Sequence, residues 1–422
     1  MFIFYTLFYL VSLIFLLPYE FFKRKPSIRS KWLKEKFGII KLNNNKNYIW
    51  IHAVSVGEVN AVIPLIKLIQ KNLPQYEIIL STITDTGQAV ANKHFKDVLI
   101  TYLPFDISFF IKRAMSSISL LLIMETELWP NLLKTVGNLS VPIVMINGRI
   151  SERSFKGYKK IKPFIKKLLT YYTYLCVQNN VYADRLYELG AEKDKVVVMG
   201  NLKFDLSLCQ KVPEWTQRLV YKTVIAGSTH KPEEELIINA FIGVLKRQPQ
   251  TTLIIAPRHP ERFKEVEEIL KTRGISYLKR SEIDHSQGAI LSNFILLDAI
   301  GELASTYGSC DIAIMGGSFI KHGGQNPLEP AFWGKAIVCG PHMENFYFIN
   351  EFYIKGAALS CKMENLTDLL IQLLTDKDKR LEMGRKAREI LESNMGAKDR
   401  VMDVIKGPKI GDRTKKLNKI SK

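Results

Sequence analysis

The chain has 422 residues, of which 47% are hydrophobic and 24% are charged, a composition that excludes a generally disordered protein. This length exceeds that of one ordinary domain, so it predicts two domains with additional segments. The formal net charge of +19 excludes an acidic, self-solvating chain and points to an anionic partner, either a lipid surface or a nucleic acid.

The N-terminal segment is a candidate membrane anchor. Residues 1–19 contain no charged side chain, and about 19 helical residues nearly cover a bilayer core of roughly 30 Å. The basic run Lys23-Arg24-Lys25 follows this stretch, whereas a cleaved signal peptide carries its positive charges before the apolar stretch. The sequence therefore predicts an uncleaved anchor over residues 1–22, and the positive-inside rule places the rest of the chain on the cytoplasmic side.

A helix that lies in the membrane interface is the alternative interpretation of this segment. The uncharged stretch is short for a spanning helix, and Pro18 and Glu20 lie near its end. Length and composition leave both arrangements open.

Two basic clusters and a basic tail follow the anchor. In both clusters the cationic residues alternate with aromatic and aliphatic ones, which suits an anionic membrane surface. No RRM, KH or helix-turn-helix pattern accompanies them, so we expect no nucleic-acid partner. Each lysine taken singly could equally solvate a helix face. The clusters comprise Arg29, Lys31, Lys34 and Lys36, then Lys156, Lys159, Lys160, Lys162, Lys166 and Lys167, and the tail covers residues 407–422.

The five cysteines form no CxxC pair and no spacing typical of a metal site. Cys176, Cys310 and Cys339 lie within or beside apolar runs and are predicted to be buried, reduced thiols, as in a cytoplasmic protein. Cys209 and Cys361 complete the set. The sequence contains no zinc signature and no P-loop.

Short apolar runs rich in β-branched residues alternate with helix-length segments along the chain. Such alternation requires crossover connections, so it predicts parallel sheets with helices on both faces. The series breaks at residues 210–217, which include Pro213, and then restarts. The predicted strands cover residues 48–53, 77–81, 98–102, 120–124, 141–146, 173–177 and 195–199, and then 223–226, 252–255, 294–297, 312–315 and 336–338.

The sequence thus predicts two doubly wound α/β domains with a cleft between them, since ligands bind at the carboxyl ends of parallel strands. The predicted boundaries are 1–22 for the anchor, 23–210 for the first domain, 211–406 for the second domain and 407–422 for the tail.

Polar residues follow the predicted strands of the first domain at the points where these strands end. Glu58 follows the first strand in a tight turn, where a carboxylate can take a proton from a hydroxyl. Its alternative role is structural, because Ser55-x-x-Glu58 is also a capping box. Glu125 and Glu127 follow a very apolar run and need defined partners, for which Lys203 and Arg149 are candidates.

The second domain contains the segment MGGSFIKHGGQNPLEP at residues 315–330. Its glycines, which include Gly316 and Gly317, leave room for a ligand against the backbone, and Asn326-Pro327 predicts a helix N-terminus that attracts anions. Glu329 could accept hydrogen bonds from ribose hydroxyls, so the segment suits a nucleotide with one phosphate. The alternative is that the glycines only form turns and Glu329 only caps the helix.

Three other residues of the second domain could assist such a ligand. Arg258 and His259 follow a predicted strand and suit a phosphate, for which arginine offers a fork of donors. His230 follows another strand and could equally be an ordinary loop histidine.

Taken together, these motifs resemble those of the bacterial 3-deoxy-D-manno-octulosonic acid (Kdo) transferases that glycosylate the lipid A precursor. The matching segments occur in order from residue 50 to residue 346, and the N-terminal anchor matches as well. They read HAVSVGEVNAVIPL, STITDTG, YLPFD, LIMETELWPNLL, GNLKFD, STH, APRHPERF, Gly301-Glu302, GGSFIKHGGQNPLEP and GPHMENF.

The resemblance implies a GT-B-like fold, with the acceptor bound by the first Rossmann-like domain and the donor by the second. It implies that Glu58 is the proton acceptor and that Glu125 and Lys203 stabilise the transition state. It places CMP binding at Pro257, Arg258, Ile300, Gly301, Glu302, Asn326, Pro327, Leu328 and Glu329. Glu127, Arg149, His230, His259, Gly316 and Gly317 are expected to support these residues.

This sequence departs from the family pattern at a few positions. Ile300 stands where methionine is frequent, Gln325 stands where histidine is frequent, and Ala226-Gly227 precede the STH motif. None of these departures removes a functional group assigned above, although Gln325 changes the local hydrogen bonding.

The implied activity is inverting transfer of Kdo from CMP-Kdo to a glucosamine hydroxyl of lipid IVA at the inner membrane, facing the cytoplasm. No cofactor and no divalent metal are expected, because CMP-Kdo carries one phosphate diester and the sequence lacks a DxD motif. The nearest alternative is a GT-B enzyme that uses a UDP-sugar and a lipid-linked acceptor. A non-catalytic module that binds anionic lipid is the alternative from another class.

Overall fold

In the computed structural model, which describes residues 1–43, 45–205, 211–283 and 288–410, the chain forms two compact units. The first unit comprises the described residues up to Asp205 together with those from Met395 onward, and the second comprises the described residues between them. Cys209, part of the 210–217 break and most of the predicted basic tail lie outside the described residues.

The first unit is built on a seven-stranded parallel sheet in the order β3-β2-β1-β4-β5-β6-β7. Trp50 of the central strand pairs with Ile79 on one side and Leu121 on the other. The strands are β1 (Asn47–His52), β2 (Tyr76–Thr82), β3 (Leu99–Tyr102), β4 (Ile118–Met124), β5 (Ile143–Gly148), β6 (Tyr174–Val177) and β7 (Val196–Val198).

Two apolar clusters cover the two faces of this sheet, because alternate residues of each strand point to opposite sides. Ile49 and Ile51 join one cluster, whereas Tyr48 and Trp50 join the other. The helices are α1 (Phe2–Lys23), α2 (Pro26–Lys36), α3 (Val56–Asn72), α4 (Asp85–His94), α5 (Ser108–Met115), α6 (Pro130–Asn138), α7 (Glu152–Lys160), α8 (Lys162–Leu169) and α9 (Asn180–Leu189).

The second unit repeats this architecture in the order β10-β11-β9-β8-β12-β13-β14, again with parallel pairing. Its strands are β8 (Lys222–Thr229), β9 (Thr251–Pro257), β10 (Leu278–Lys279), β11 (Phe294–Leu296), β12 (Ile312–Met315), β13 (Ala336–Cys339) and β14 (Ala358–Ser360). Its helices are α10 (Glu233–Leu245), α11 (Arg262–Thr272), α12 (Arg280–Ile283), α13 (Leu303–Thr306), α14 (Leu328–Phe332), α15 (Ile349–Ile354), α16 (Leu366–Thr375) and α17 (Lys377–Asn394).

The predicted fold class, two doubly wound parallel sheets, is confirmed. All twelve predicted strands are present, and the two that the sequence pattern missed are the short edge strands β10 and β14. Neither of these two strands contains a β-branched or aromatic residue, whereas the equally short strands β7 and β11 do.

The structure differs from the predicted domain boundaries at the last helix, α18 (Ala397–Lys406), which the sequence placed in the second domain. This helix belongs to the first unit, where Val401 and Ile405 join the apolar cluster around α3. The Asp205 carboxylate accepts hydrogen bonds from the backbone N–H groups of Gly396 and Lys398, both at 2.6 Å. Asp205 therefore fixes the N-terminus of α18 to the first unit.

The predicted anchor forms the 22-residue helix α1, which is long and apolar enough to cross a membrane by length and composition. The four described cysteines are free thiols, and Cys176, Cys310 and Cys339 are buried as predicted.

Candidate active site

Glu58 lies in the first turn of α3, directly beyond the carboxyl end of β1. Ser55 caps this helix, and Glu58 N–H donates to Ser55 Oγ at 3.4 Å. The carboxylate of Glu58 accepts hydrogen bonds from Val54 N–H at 2.9 Å and from Ser55 Oγ at 3.1 Å. The Ser55 cap supports the structural interpretation of the motif, and the catalytic interpretation, which requires the buried carboxyl group at the end of a strand, stays a prediction.

Opposing effects act on the pKa of the Glu58 carboxyl group. Burial raises the pKa of its carboxyl group to about 7, and the negative charges of Glu125 and Glu127 act in the same direction. The hydrogen bonds from Val54 and Ser55 oppose this rise. A carboxyl group with a pKa near neutral pH is suited to accept a proton during a reaction.

Glu125 follows β4, the strand next to β1 in the sheet, and is brought close to Glu58. Its φ angle of 55° is unusual for a residue other than glycine, and its N–H donates to Ile146 O at 2.9 Å. Lys203 reaches this place from the turn after β7, with Nζ 4.0 Å from Glu125 Oε1. The structure thus brings the three predicted catalytic residues Glu58, Glu125 and Lys203 together at one edge of the first sheet.

The supporting residues of the first unit lie around this group. Burial raises the pKa of the Glu127 carboxyl group, and Tyr172 donates a hydrogen bond to Glu127 O at 3.3 Å. The backbone N–H of Arg149 donates to Thr126 Oγ1 at 3.2 Å, and Thr126 Oγ1 donates to Arg149 O at 2.6 Å. Thr126 therefore connects the loop after β4, which contains Glu127, to Arg149 at the end of β5.

Asn147, whose positioning role the sequence did not reveal, fixes the turn that carries Lys203. It has a φ angle of 58° and is fully buried, and its side-chain oxygen accepts the Leu202 N–H at 3.0 Å. Asn201 Oδ1 accepts the Lys203 N–H, also at 3.0 Å. The only sequence signal for this role was the asparagine itself, because Asn tolerates left-handed backbone better than most residues.

The glycine segment of the second unit forms a close crossing of backbones. A Cβ atom on Gly316 would lie 2.3 Å from Ser228 O, and Gly317 has a φ angle of 66°. Gly316 N–H donates to Gly227 O at 2.9 Å, so the ends of β8 and β12 are held together here. The structure gives a physical reason for glycine at both positions.

Glu233 is a second residue whose role the sequence reasoning missed. It is fully buried at the start of α10, and its Oε1 accepts the N–H groups of both His230 and Gly317. Burial raises its pKa to about 7. The run Glu233-Glu234-Glu235 resembles ordinary acidic residues of a first helical turn, so only the structure shows that Glu233 ties the two loops together.

His230 lies among other histidines in this loop region. Its ring centroid is 3.9 Å from that of His322 and 5.6 Å from that of His259. Burial lowers the pKa of His230 to about 4, and the charges of neighbouring His322, His259 and arginines contribute. The neutral ring accepts a hydrogen bond from Gln325, whose Nε2 lies 2.9 Å from His230 Nε2. Gln325, one of the departures from the family pattern, is thus accommodated.

Glu329 lies in the first turn of α14, which begins one residue later than predicted, after Pro327. Pro327 is the N-cap residue, and Asn326 Oδ1, one residue before it, accepts the Leu328 N–H at 3.2 Å. Burial raises the pKa of Glu329 to about 7, against the opposing charge of Arg258. Arg258 follows Pro257 at the end of β9, and its N–H donates to Thr229 O at 3.0 Å.

The remaining predicted CMP-binding residues occupy a separate loop of the second unit. The Glu302 carboxylate is paired with Arg280 at 2.8 Å and accepts a hydrogen bond from Trp215 Nε1 at 3.2 Å. Ile300 is 73% exposed, and Gly301 has a φ angle of 89°. This loop therefore offers an exposed apolar side chain and backbone groups rather than a free carboxylate.

Among the residues that the structure describes, no three His, Cys, Asp or Glu side chains come together in a way that could hold a metal ion. The expectation of a metal-independent reaction stays a prediction.

Comparison with known proteins identifies the family. A family model described as 3-deoxy-D-manno-octulosonic-acid transferase matches residues 31–206. A 3-deoxy-D-manno-octulosonic acid transferase from Haemophilus influenzae is 36% identical over 376 residues, which cover 85% of this chain and 86% of the relative. The chain belongs to the Kdo transferase family. It is therefore an enzyme, a glycosyltransferase, as the motifs predict.

Solved structures of more distant proteins share the fold of this Kdo transferase family member. A UDP-GlcNAc 2-epimerase from Neisseria meningitidis aligns with a TM-score of 0.55 at 11% identity and covers 86% of this chain and 100% of its own. A glycosyltransferase from Rickettsia africae aligns with a TM-score of 0.53 at 14% identity and covers 86% and 98%. These similarities support the GT-B-like architecture.

Proposed function

We propose that this Kdo transferase moves Kdo from CMP-Kdo to a glucosamine hydroxyl of the lipid A precursor lipid IVA, with inversion at the anomeric carbon and without a divalent metal. The observation that carries the proposal is the Glu58 carboxyl group, which is buried at the end of β1, has a pKa of about 7 and lies beside the Glu125–Lys203 pair. We further propose that the reaction takes place at the cytoplasmic face of the inner membrane.

In the proposed reaction, ionised Glu58 takes the proton from the acceptor hydroxyl. The hydroxyl oxygen then forms a bond to the anomeric carbon of Kdo, while the bond from this carbon to the CMP phosphate oxygen breaks. CMP leaves with the electron pair of that bond. A direct displacement of this type inverts the anomeric configuration, and one general base is sufficient for it.

Lys203 and Glu125 have complementary tasks in this proposal. Lys203 carries the positive charge that offsets the negative charge of the donor as the bond to CMP breaks. Glu125 forms an ion pair with Lys203, with 4.0 Å between Oε1 and Nζ, and so holds the ammonium group in this region. Both side chains are about a quarter exposed or less, so they keep contact with solvent and with a bound substrate.

The second unit supplies the proposed CMP site. Arg258 offers a fork of donors to the phosphate, and the close crossing at Gly316 fixes the ends of β8 and β12, beyond which the proposed site lies. Glu329 and the backbone of Asn326, Pro327 and Leu328 would accept and donate hydrogen bonds around the ribose. One phosphate needs fewer cations than a diphosphate, which supports transfer without a metal ion.

The test is a transfer assay with purified full-length protein, lipid IVA and a CMP-Kdo generating system, in the presence of EDTA. We expect mass spectrometry to detect lipid IVA with one or more added Kdo residues, and NMR of the product to show the anomeric configuration opposite to that of the donor. Transfer from UDP-sugars but not from CMP-Kdo would contradict the donor assignment. Loss of transfer in EDTA, restored by Mg²⁺, would contradict the metal-independent mechanism.

A further inference from the structure

Helix α1 has two faces with different surroundings. The residues on one face are partly buried against the rest of the first unit, whereas those on the opposite face are exposed. Members of the first face recur every three or four residues, so they form one stripe along the whole helix. We call this the docked stripe, which comprises Phe2, Thr6, Tyr9, Leu13, Leu17 and Phe21.

The first half of the docked stripe makes specific polar contacts. Thr6 Oγ1 and the Asn131 side chain of α6 exchange hydrogen bonds of 3.0 to 3.2 Å. Tyr9 OH accepts the backbone N–H of Asp106 at 3.2 Å. Asp106 itself is buried and accepts the N–H of Asn131 at 3.1 Å. These contacts fix the position of the N-terminal half of α1 on the first unit.

Aromatic contacts hold both ends of the docked stripe. The Phe2 ring lies 5.3 Å from that of Phe164 on α8, centroid to centroid. At the other end Phe21 lies 6.5 Å from buried Trp32. Contacts therefore run from the second residue of the chain to the end of the helix, over about 30 Å.

This docking is incompatible with a helix that crosses a bilayer alone. If α1 stood perpendicular to the membrane, the parts of α6 and α8 beside Phe2 would enter the hydrocarbon region. Lys134 lies there, with Nζ 4.9 Å from the Phe2 ring centroid, and the exposed Lys166 and Lys167 lie on α8. Charged side chains in hydrocarbon are strongly unfavourable.

The opposite face of α1 is an exposed apolar surface. Its members are each more than half exposed, and none carries a charge. A continuous patch of this kind marks a membrane or protein contact. We call it the exposed stripe, which comprises Ile3, Phe4, Leu7, Phe8, Val11, Ile14, Phe15, Tyr19 and Phe22.

The charges around the exposed stripe favour a lipid surface as its partner. Lys23 and Lys25 are exposed at its C-terminal end, Lys23 Nζ lies 5.7 Å from the Tyr19 ring centroid, and the chain carries a net charge of +19. A patch of aromatic and aliphatic residues bordered by lysines is complementary to acyl chains below anionic headgroups.

We propose that α1 lies in the plane of the membrane surface, with the exposed stripe inserted among the acyl chains and the docked stripe holding the first unit against the headgroups. The proposal depends on the membrane location proposed above but not on the reaction. It implies that both ends of α1 stay on the same side of the bilayer.

A topology measurement separates this arrangement from a spanning helix. A protease-sensitive epitope placed before Met1 of the full chain should be protected in intact spheroplasts and cleaved in inverted inner-membrane vesicles. Cleavage of the epitope from the periplasmic side of spheroplasts would overturn the proposal. Neither result depends on whether the protein transfers Kdo, so this test and the transfer assay fail independently.

Matched variants test the exposed stripe itself. The double variant Phe8→Asp/Phe15→Asp should lower partitioning onto phosphatidylglycerol vesicles by about tenfold or more, with an unchanged melting temperature, because two inserted aromatic rings are lost. The control Val220→Asp/Ile354→Asp changes two exposed apolar residues of the second unit and should partition like the wild type. Unchanged partitioning of the first variant would overturn the proposal. If this variant changes an oligomer into a monomer while vesicle binding is kept, the exposed stripe is a protein contact, and the proposal is also overturned.

Discussion

The candidate sites of the two units use the ends of their parallel strands in different ways. In the first unit, the candidate site consists of side chains at strand ends, and Glu125 and Asn147 adopt left-handed backbone there, as Ser228 does in the second unit. In the second unit, glycines let two loops approach closely, and the buried carboxylate of Glu233 ties the loops together. This difference fits the proposal that the first site carries out the proton and charge chemistry and that the second binds the nucleotide between closely packed loops.

This contrast leads to variants that should affect the rate and the affinity separately. Apart from Glu58→Gln, we expect the largest effect from Lys203→Ala, which should lower the rate of Kdo transfer by about 10²- to 10³-fold, since it removes a charge that is proposed to stabilise the transition state. Single-turnover transfer rates would measure this effect, and CMP affinity should change little.

Lys195 provides the matched control for this change. It precedes β7, whereas Lys203 follows it, and its Nζ pairs with Glu192 at 2.9 Å. Lys195→Ala should leave the transfer rate near that of the wild type. Equal losses in the two variants would show that the effect comes from general charge rather than from the position of Lys203.

Substitutions at the candidate nucleotide site of the second unit should change the affinity for CMP rather than the rate of transfer. Gly316→Ala places a Cβ atom 2.3 Å from Ser228 O, so the two loops must separate. Overpacking of this kind costs about 1–3 kcal/mol, which corresponds to roughly 5- to 150-fold weaker CMP binding if the displaced loops form the site. Isothermal titration with CMP would measure the change.

Gly57→Ala is the control for the glycine variant. A Cβ atom there would have only Ser55 Oγ within 4 Å, at 3.9 Å, so the substitution fits without strain. CMP affinity should remain that of the wild type. If Gly316→Ala also binds CMP normally while remaining folded, the crossing of the loops has no part in nucleotide binding.

Glu233 provides a test of how stability depends on pH. Its pKa is raised to about 7 in the folded protein, whereas an exposed glutamate has a pKa of about 4.3. The folded state therefore binds more protons between these values, and the contribution of Glu233 to stability falls as the pH rises from about 4.3 to about 7.

Glu233→Gln removes this dependence. Its free energy of unfolding should fall less between pH 5.5 and pH 8 than that of the wild type, by about 2 kcal/mol. Urea unfolding at both pH values would measure it. Glu58 and Glu329 also have raised pKa values, so part of the decline should persist. Identical declines in variant and wild type would refute the assignment to Glu233.

The smallest expected effect concerns the acidic limb of the pH–rate profile. In the proposed mechanism ionised Glu58 is the active form, so kcat/KM should rise with pH through about 7. Ser55→Ala removes a hydrogen bond that lowers this pKa and should move the limb to higher pH. Glu127→Gln removes a negative charge that raises it and should move the limb to lower pH. Shifts of a few tenths of a unit are expected, and shifts in the same direction in both variants would contradict the assignment.

The sequence was sufficient to predict the parallel sheets and the place of the candidate site residues at strand ends within each unit. Apolar runs rich in β-branched residues located β1, β4 and β12, and polar residues or glycines after these runs singled out Glu58, Glu125 and the glycine segment as candidates. These features are local, because a strand, its turn and the first turn of the next helix are consecutive in the chain.

Features that depend on distant partners could not be predicted in the same way. The apolar pattern of α18 is typical of a packed helix, but it does not say that the partner is α3, more than 300 residues earlier. The docked stripe of α1 depends on Asp106 and Asn131, which lie about 100 residues or more from it in sequence. Composition therefore predicted a membrane helix and left its orientation open.

The central claim, that Glu58 accepts the proton of the acceptor hydroxyl, is tested most directly by the single-turnover transfer rate of Glu58→Gln with saturating CMP-Kdo and lipid IVA. The substitution keeps the size of the side chain and an oxygen that can accept from Val54 N–H, so the cap of α3 should persist. We predict that the rate falls by about 10²- to 10⁴-fold while the affinity for CMP stays within about twofold. A rate equal to that of the wild type would contradict the account.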